Sequence, residues 1–205
     1  LDAAVERAQR QMARLRAKAR TMPETAADEL GFLVEAYEQM LKDSRLIRGA
    51  KQRITTELVN AEAAVQAEIT DITHAFAAMD DVYIAARIDD IRGVGRRLIL
   101  NLTQTPVKPF ASVPAGSIVI ADELTPADTA QLNPERVMGA AADLGGSEGH
   151  AAIMARALGI PTVMGMQDML RHVRHGETVM IDGTVGRVVL NPSKATLDAA
   201  TKQQK

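Results

Sequence analysis

The chain has 205 residues, 46% hydrophobic and 24% charged, a globular balance that excludes disorder. Its 24 Lys and Arg against 26 Asp and Glu leave a formal net charge of -2, and it holds no Trp, two Tyr and three Phe; there is no basic field for a nucleic-acid backbone or an anionic membrane, and almost no aromatic platform for bases. The absence of cysteine removes disulfides, thiolate catalysis and Cys-held zinc or iron–sulfur chemistry, and fits a reducing compartment.

No run of about 18 apolar residues occurs, and the first residues lack the basic start and apolar stretch of a signal peptide, so the expected location is cytoplasmic. The chain starts without Met inside a helical pattern, which predicts a fragment of a longer protein. Leu1, Val5, Ala8, Met12, Leu15, Ala19 and Met22 step by three and four and predict a first helix. A second is predicted after Pro23, capped by Thr25, running through Leu30, Leu33, Val34, Tyr37 and Leu41 toward Ile47 and stopped at Gly49. Ile54, Leu58, Ala61, Val65, Ile69, Ile72, Phe76 and Met79 predict a long third helix; Ile84, Ile88, Ile91, Leu98 and Leu102 predict a fourth. Short joints favour antiparallel packing in a bundle or two hairpins, with a coiled-coil dimer as the alternative.

Seven of the eight prolines and ten of the 14 glycines lie outside Pro23, Gly31, Gly49, Gly93 and Gly95, all beyond residue 105. From there short apolar runs at 118–120, 137–140, 162–164, 178–181 and 188–190 predict strands, with Asp182-Gly183 as a hairpin turn between the last two. Two short helices are expected between the earlier strands, one opening with Thr125-Pro126 and one spanning residues 150–158 before Gly159. The expected architecture is therefore all-α followed by α/β: a helical domain over residues 1–104, a compact domain over 105–192, and the start of a linker helix over 193–205.

Unusual residues converge at Asp143-Leu144-Gly145-Gly146-Ser147-Glu148-Gly149-His150. Glycines let a backbone approach a ligand and turn its amides toward one point, and the helix that follows adds unpaired N–H groups and a positive dipole end. Gly145, Gly146, Ser147 and Gly149 thus form a candidate phosphate cradle, with Arg156 one to two turns further on as a second contact. His150 at the helix entrance offers an imidazole nitrogen as a nucleophile that could itself carry a phosphoryl group. Read from residues alone, a tight strand-to-helix turn capped by His150 stays open as well.

The run Gly145-Gly146-Ser147-Glu148-Gly149-His150-Ala151-Ala152-Ile153-Met154-Ala155-Arg156, followed by Ile160-Pro161-Thr162-Val163-Met164-Gly165, resembles the phosphohistidine signature of the phosphoenolpyruvate-utilising enzymes. Residues 87–98 and 121–132 resemble Enzyme I of the bacterial phosphotransferase system, whose helical insertion the related dikinases lack. The resemblance implies a swivelling β/β/α phosphohistidine domain with an inserted four-helix domain that docks a histidine phosphocarrier protein. It implies that His150 accepts phosphate on Nε2, that the Thr129 hydroxyl holds the other imidazole nitrogen, and that Glu35, Tyr37, Met40, Leu41 and Asp43 lie on the docking segment. In the full-length family enzyme a carboxy-terminal barrel, with Mg²⁺, draws phosphate from phosphoenolpyruvate and makes the homodimer; a fragment without it is expected to be a monomer holding no metal. An amino-terminal strand is likewise expected before Leu1.

Glu148-Gly149 replaces the family's Thr-Ser, placing a carboxylate beside an incoming phosphoryl group. With the basic Lys42, Arg45 and Arg48, this resembles the nitrogen-related paralogues and implies a nitrogen-type carrier and nitrogen regulation, with the sugar-type carrier as the alternative. A docking module disabled for transfer and a dikinase-like swivelling domain are the other readings. His172, His175 and Glu177 lack a further ligand for a metal site; Gly93-Val94-Gly95 is too short for a dinucleotide fingerprint and reads as close helix packing or a kink. His74 and the Arg-rich first helix read as solvated surface.

Overall fold

The computed structural model describes residues 1–77, 82–105, 110, 113–147 and 149–203, without the side chains of 82–86 and 203. The expectations at Met79 and Glu148 lie outside these described residues, and that at Ile84 falls on a side chain that is not described. The chain is mostly helical with a small sheet, and it divides into two compact units, Leu1–Lys108 and Pro109–Lys205.

Five helices build the first unit where four were expected: α1 (Asp2–Ala19), α2 (Glu24–Met40), α3 (Arg45–Thr56), α4 (Ala61–Ala77) and α5 (Val82–Leu102). The expected second helix breaks at residues 41–44, because the Ser44 side chain accepts from the Ile47 N–H (3.4 Å) and starts a new helix. Gly49 therefore lies inside α3 and stops nothing; α2 in turn begins after Pro23 with no side-chain cap, so Thr25 does not serve as one. Ile54 belongs to α3. The joint before α4 is made by Leu58, at φ 56°, and by Asn60, whose side-chain oxygen accepts from the Ala63 N–H (2.8 Å).

The apolar rows that define these helices pack within the unit, α5 against α1, α2 and α4, and α3 against α4. Met12, Leu30, Val34, Tyr37, Val65, Val94 and Leu98 are fully enclosed. Gly93 and Gly95 both lie inside α5, which is continuous from Val82 to Leu102. A Cβ on Gly93 would fall on the Tyr37 hydroxyl, and one on Gly95 on the end of Ile69, so both glycines permit close helix contact. Gly49 has the same use: its missing side chain leaves room for the buried Glu68 carboxylate, which accepts from Arg53 Nε (2.7 Å). Arg53 also pairs with Glu57 and Asp71, and its hydrogen bond to Glu68 raises its pKa further above the ordinary arginine value. The α1 surface is less free than its spacing implied, since Arg7 donates to the Asn101 carbonyl (2.7 Å) and Arg16 pairs with Glu38 (2.8 Å).

In the second unit β1 (Ser117–Ala121), β2 (Val137–Ala142) and β3 (Thr162–Met164) form a parallel sheet in the order β1-β2-β3. Parallel neighbours need crossovers, supplied by α6 (Pro126–Thr129) and α7 (His150–Ala157). β2 is central and its end is buried; Val119, Leu124, Leu132, Val137, Ala140 and Ile160 enclose the core around it. β4 (Val179–Asp182) and β5 (Arg187–Leu190) form the expected antiparallel hairpin, and the Asp182 carboxylate accepts from the Thr184 and Val185 N–H groups to shape its turn. A final helix, α8 (Lys194–Gln203), lines a groove of about 1310 Å³ together with this hairpin and β3.

Candidate functional site

In an open parallel sheet, ligands gather at the carboxyl ends of the strands, where the loops into the helices converge. The loop after β2 is fixed there on both sides. Asp143 and Leu144 continue the ladder, donating to Ala121 O (3.1 Å) and Asp122 O (2.8 Å), while Met166 N–H on the other side donates to Ala142 O (3.1 Å). The buried Asp143 carboxylate accepts from the Met169 N–H (2.7 Å) and the Leu170 N–H (3.3 Å), capping a short 3₁₀ turn, Met169–Arg171. Gly145, at φ 101°, lets the chain leave the sheet, and Gly165, at φ 76°, passes so close that a Cβ there would stand 3.3 Å from Gly145 O.

Beyond that anchor the described loop residues, 144–147 and 149, are exposed. Gly149 is the extended N-cap residue, and its N–H donates to Gly146 O (3.1 Å), so Gly149 shapes the turn and offers no amide of its own to a ligand. The first intrahelical bond runs from Ile153 N–H to Gly149 O (3.0 Å), leaving the N–H groups of the first turn directed at the loop. Among the described residues, the amides of Gly145, Gly146 and Ser147 have no backbone acceptor. His150 is the first residue of α7 and is exposed. An imidazole thus stands at the positive end of a helix, beside a glycine turn that can donate to an anion.

Thr129 is completely buried in α6, which packs against α7. The short helix is held by a reciprocal cap: Asp128 N–H donates to Thr125 Oγ1 (3.1 Å), and Thr125 N–H donates to the Asp128 carboxylate (3.2 Å). The Thr129 hydroxyl donates to Thr125 O (3.1 Å), so any further bond it makes is as an acceptor. Arg156 stands about 120° around α7 from His150 at helical periodicity, and its guanidinium donates to Ser147 O (3.3 Å). It braces the loop from the side.

In the helical unit, Glu35 and Asp43 are exposed and Met40 is half-buried, but Tyr37 and Leu41 are 2% and 1% exposed. The side of α2 that faces α1 and α5 takes both into the core, which withdraws them from a docking surface. Phe32, which sequence spacing passed over, is 72% exposed on α2. The signal was its place outside the 30-33-34-37-41 row. His172 ends the 3₁₀ turn, His175 is exposed, and Glu177 accepts from the Arg174 N–H (2.8 Å). Among the described residues, no three His, Asp or Glu come together as metal ligands, and no helix is long and apolar enough to cross a membrane.

Residues 1–87 match the family described as PEP-utilising enzyme, N-terminal, and residues 113–186 match the PEP-utilising enzyme mobile domain. A solution NMR structure of Enzyme I is 34% identical and superposes with a TM-score of 0.75, covering 98% of this chain and 79% of that one. The chain belongs to the Enzyme I family. A second structure, described as the N-terminal domain of Enzyme 1 - Nitrogen, is 31% identical with a TM-score of 0.60 and covers 98% of this chain and 80% of that one. The phosphoenolpyruvate-protein phosphotransferase of Priestia megaterium is 36% identical over 203 residues, 99% of this chain and 35% of the relative. That of Haloferax volcanii is 38% identical over 177 residues, 86% of this chain and 31% of the relative. The chain thus spans about a third of the length of these Enzyme I relatives.

Proposed function

We propose that this chain carries a phosphoryl group on His150 and exchanges it with a histidine phosphocarrier protein. The observation that carries the reading is the exposed His150 at the start of α7, beside a glycine turn braced at the carboxyl edge of a parallel sheet. In the step, the phosphorus–nitrogen bond on the carrier breaks as a new one forms to Nε2 of His150, in line, and the carrier imidazole leaves with the electron pair. The Gly145, Gly146 and Ser147 amides and the start of α7 stabilise the phosphoryl oxygens, Gly149 shapes the turn, and Arg156 holds Ser147 in place. The Thr129 hydroxyl, already donating to Thr125, accepts from Nδ1–H and selects the tautomer in which Nε2 is the nucleophile.

In the longer enzyme the phosphate originates from phosphoenolpyruvate in a Mg²⁺-dependent step assigned to a domain outside this chain, which also dimerises; this chain alone is a cytoplasmic monomer. The carrier is assigned to the nitrogen type. Glu148-Gly149 in the sequence and the exposed Lys42, Arg45 and Arg48 support that choice, although the superposition on the structure described simply as Enzyme I is the better of the two.

The test is acid-labile, base-stable phosphate on the chain after mixing with nitrogen-type or sugar-type carrier charged by a complete Enzyme I. Labelling is expected with the nitrogen carrier and is lost in His150→Ala. Thr129→Val labels more slowly and Thr129→Ser recovers. Preferential labelling by the sugar carrier would reassign the branch, and no labelling by either would reduce the chain to a docking module.

A further inference from the structure

We propose that the groove between α4 and α5 binds a small organic anion, a carboxylate or phosphate monoester carried on a short aliphatic body. The groove lies wholly in the first unit and is independent of the chemistry at His150.

Helices α4 and α5 are drawn together at Gly95, whose missing side chain admits the end of Ile69. Ile69 also lines the groove beside that contact, which measures about 500 Å³, within the range of roughly 300–1,000 Å³ that small-molecule sites occupy. The covered part of the lining is apolar: Ile69 is buried, and Ile99 and Leu100 are half-buried. The exposed part is basic. Arg92 and Arg96 stand one turn apart on α5, and His74 stands on α4, so both helices bring basic groups to the groove. Neither Asp nor Glu lines it, in a chain whose 26 acids outnumber its 24 Lys and Arg. Asp89 meets Arg92 at 3.7 Å with both side chains exposed, a loose pair that an incoming oxyanion can replace.

The lining selects the ligand class. A guanidinium presents paired donors that match the edge of a carboxylate or phosphate. The Thr70 and Thr73 hydroxyls add no donor, because they donate to Gln66 O (3.0 Å) and Thr70 O (3.1 Å), so recognition of charge falls to the basic groups. A bare inorganic ion would leave Ile69, Ile99 and Leu100 against water, whereas an aliphatic body covers them. No aromatic side chain lines the groove, so a nucleotide base finds nothing to stack on. An organic cation is repelled by the two arginines.

The test is titration of the whole 205-residue chain with hexyl phosphate, hexanoate, inorganic phosphate and hexylammonium, followed by NMR of the backbone amides and the His74 ring. The hexyl anions are expected to shift residues 66–74 and 92–100 and to bind at least about tenfold more tightly than inorganic phosphate; the tighter of the two identifies the head group. Hexylammonium should leave these signals in place. The double variant Arg92→Gln, Arg96→Gln is expected to weaken both hexyl anions about tenfold or more, and the double Arg→Lys variant to recover part of that loss. Ile99→Ala should weaken the hexyl anions severalfold without changing inorganic phosphate. Melting followed by far-UV ellipticity checks that each variant is folded, and Arg92→Gln alone, at an exposed position, serves if the double variant is not. Hexyl anions that bind no more tightly than inorganic phosphate, or no more tightly than hexylammonium, would overturn the proposal, as would folded arginine variants within twofold of wild type.

Discussion

Gly145 and Gly146 are adjacent and chemically identical, yet the structure asks different things of them. Gly145 sits at φ 101°, a region nearly closed to residues with a Cβ; Gly146 has ordinary φ and open space around it. Gly145→Ala should therefore destabilise the second unit by about 1–3 kcal/mol, whereas Gly146→Ala should be neutral or stabilising by up to about 1 kcal/mol. Native-state hydrogen exchange of the β1 and β2 amides measures both, and equal effects would show that the loop does not depend on the Gly145 conformation. The glycine run drew attention to His150 from sequence, because a nucleophile at a helix entrance after closely spaced glycines is a local pattern. Which glycine carries the conformational demand is not local. It depends on how residues 165–171 press against the loop, which only the folded sheet brings there.

At the scale of elements, apolar spacing found the helical material and missed two of its breaks. The interval from Leu41 to Ile47 does not interrupt a three-four rhythm clearly enough to announce an end, although Ser44 and Asn60 were available as caps. Faces were harder still. Tyr37 and Phe32 are both aromatic residues of α2, and one is enclosed while the other is in solvent, because α5 approaches only one side. That approach depends on Gly93, above which the Tyr37 hydroxyl lies. Alanine there gains about 1 kcal/mol of helix propensity but forces overpacking that costs about 1–3 kcal/mol, and a packed phenol cannot swing aside as a flexible chain end would. Gly93→Ala is expected to lower the melting midpoint followed by far-UV ellipticity. Adding Tyr37→Phe removes the atom that collides, so the double variant should be more stable than the sum of the two singles. Strict additivity would mean that α5 shifts as a whole to admit the methyl group.

For the whole molecule, the proposed function would divide between the two units, docking in Leu1–Lys108, which holds α2, and chemistry in Pro109–Lys205, which holds His150. Under that function a carrier held by one unit would meet the histidine of the other as a tethered reactant, at an effective concentration on the order of mM if a short flexible link spans the two sites. Each unit has its own enclosed core, Met12, Leu30 and Leu98 in one and Leu132, Val137 and Met154 in the other, so each has the packing to fold separately. Residues 1–108 alone should then bind carrier as the whole chain does. Residues 109–205 alone should be labelled on His150 only as carrier concentration approaches the mM range, and adding the free helical piece should not restore labelling at lower concentrations, because it sequesters carrier without tethering it. Labelling rates against carrier concentration for the joined chain, the separate second unit and the mixture test this. Efficient labelling of the second unit alone at low carrier concentration would place the recognition surface beside His150 and leave the helices a different task.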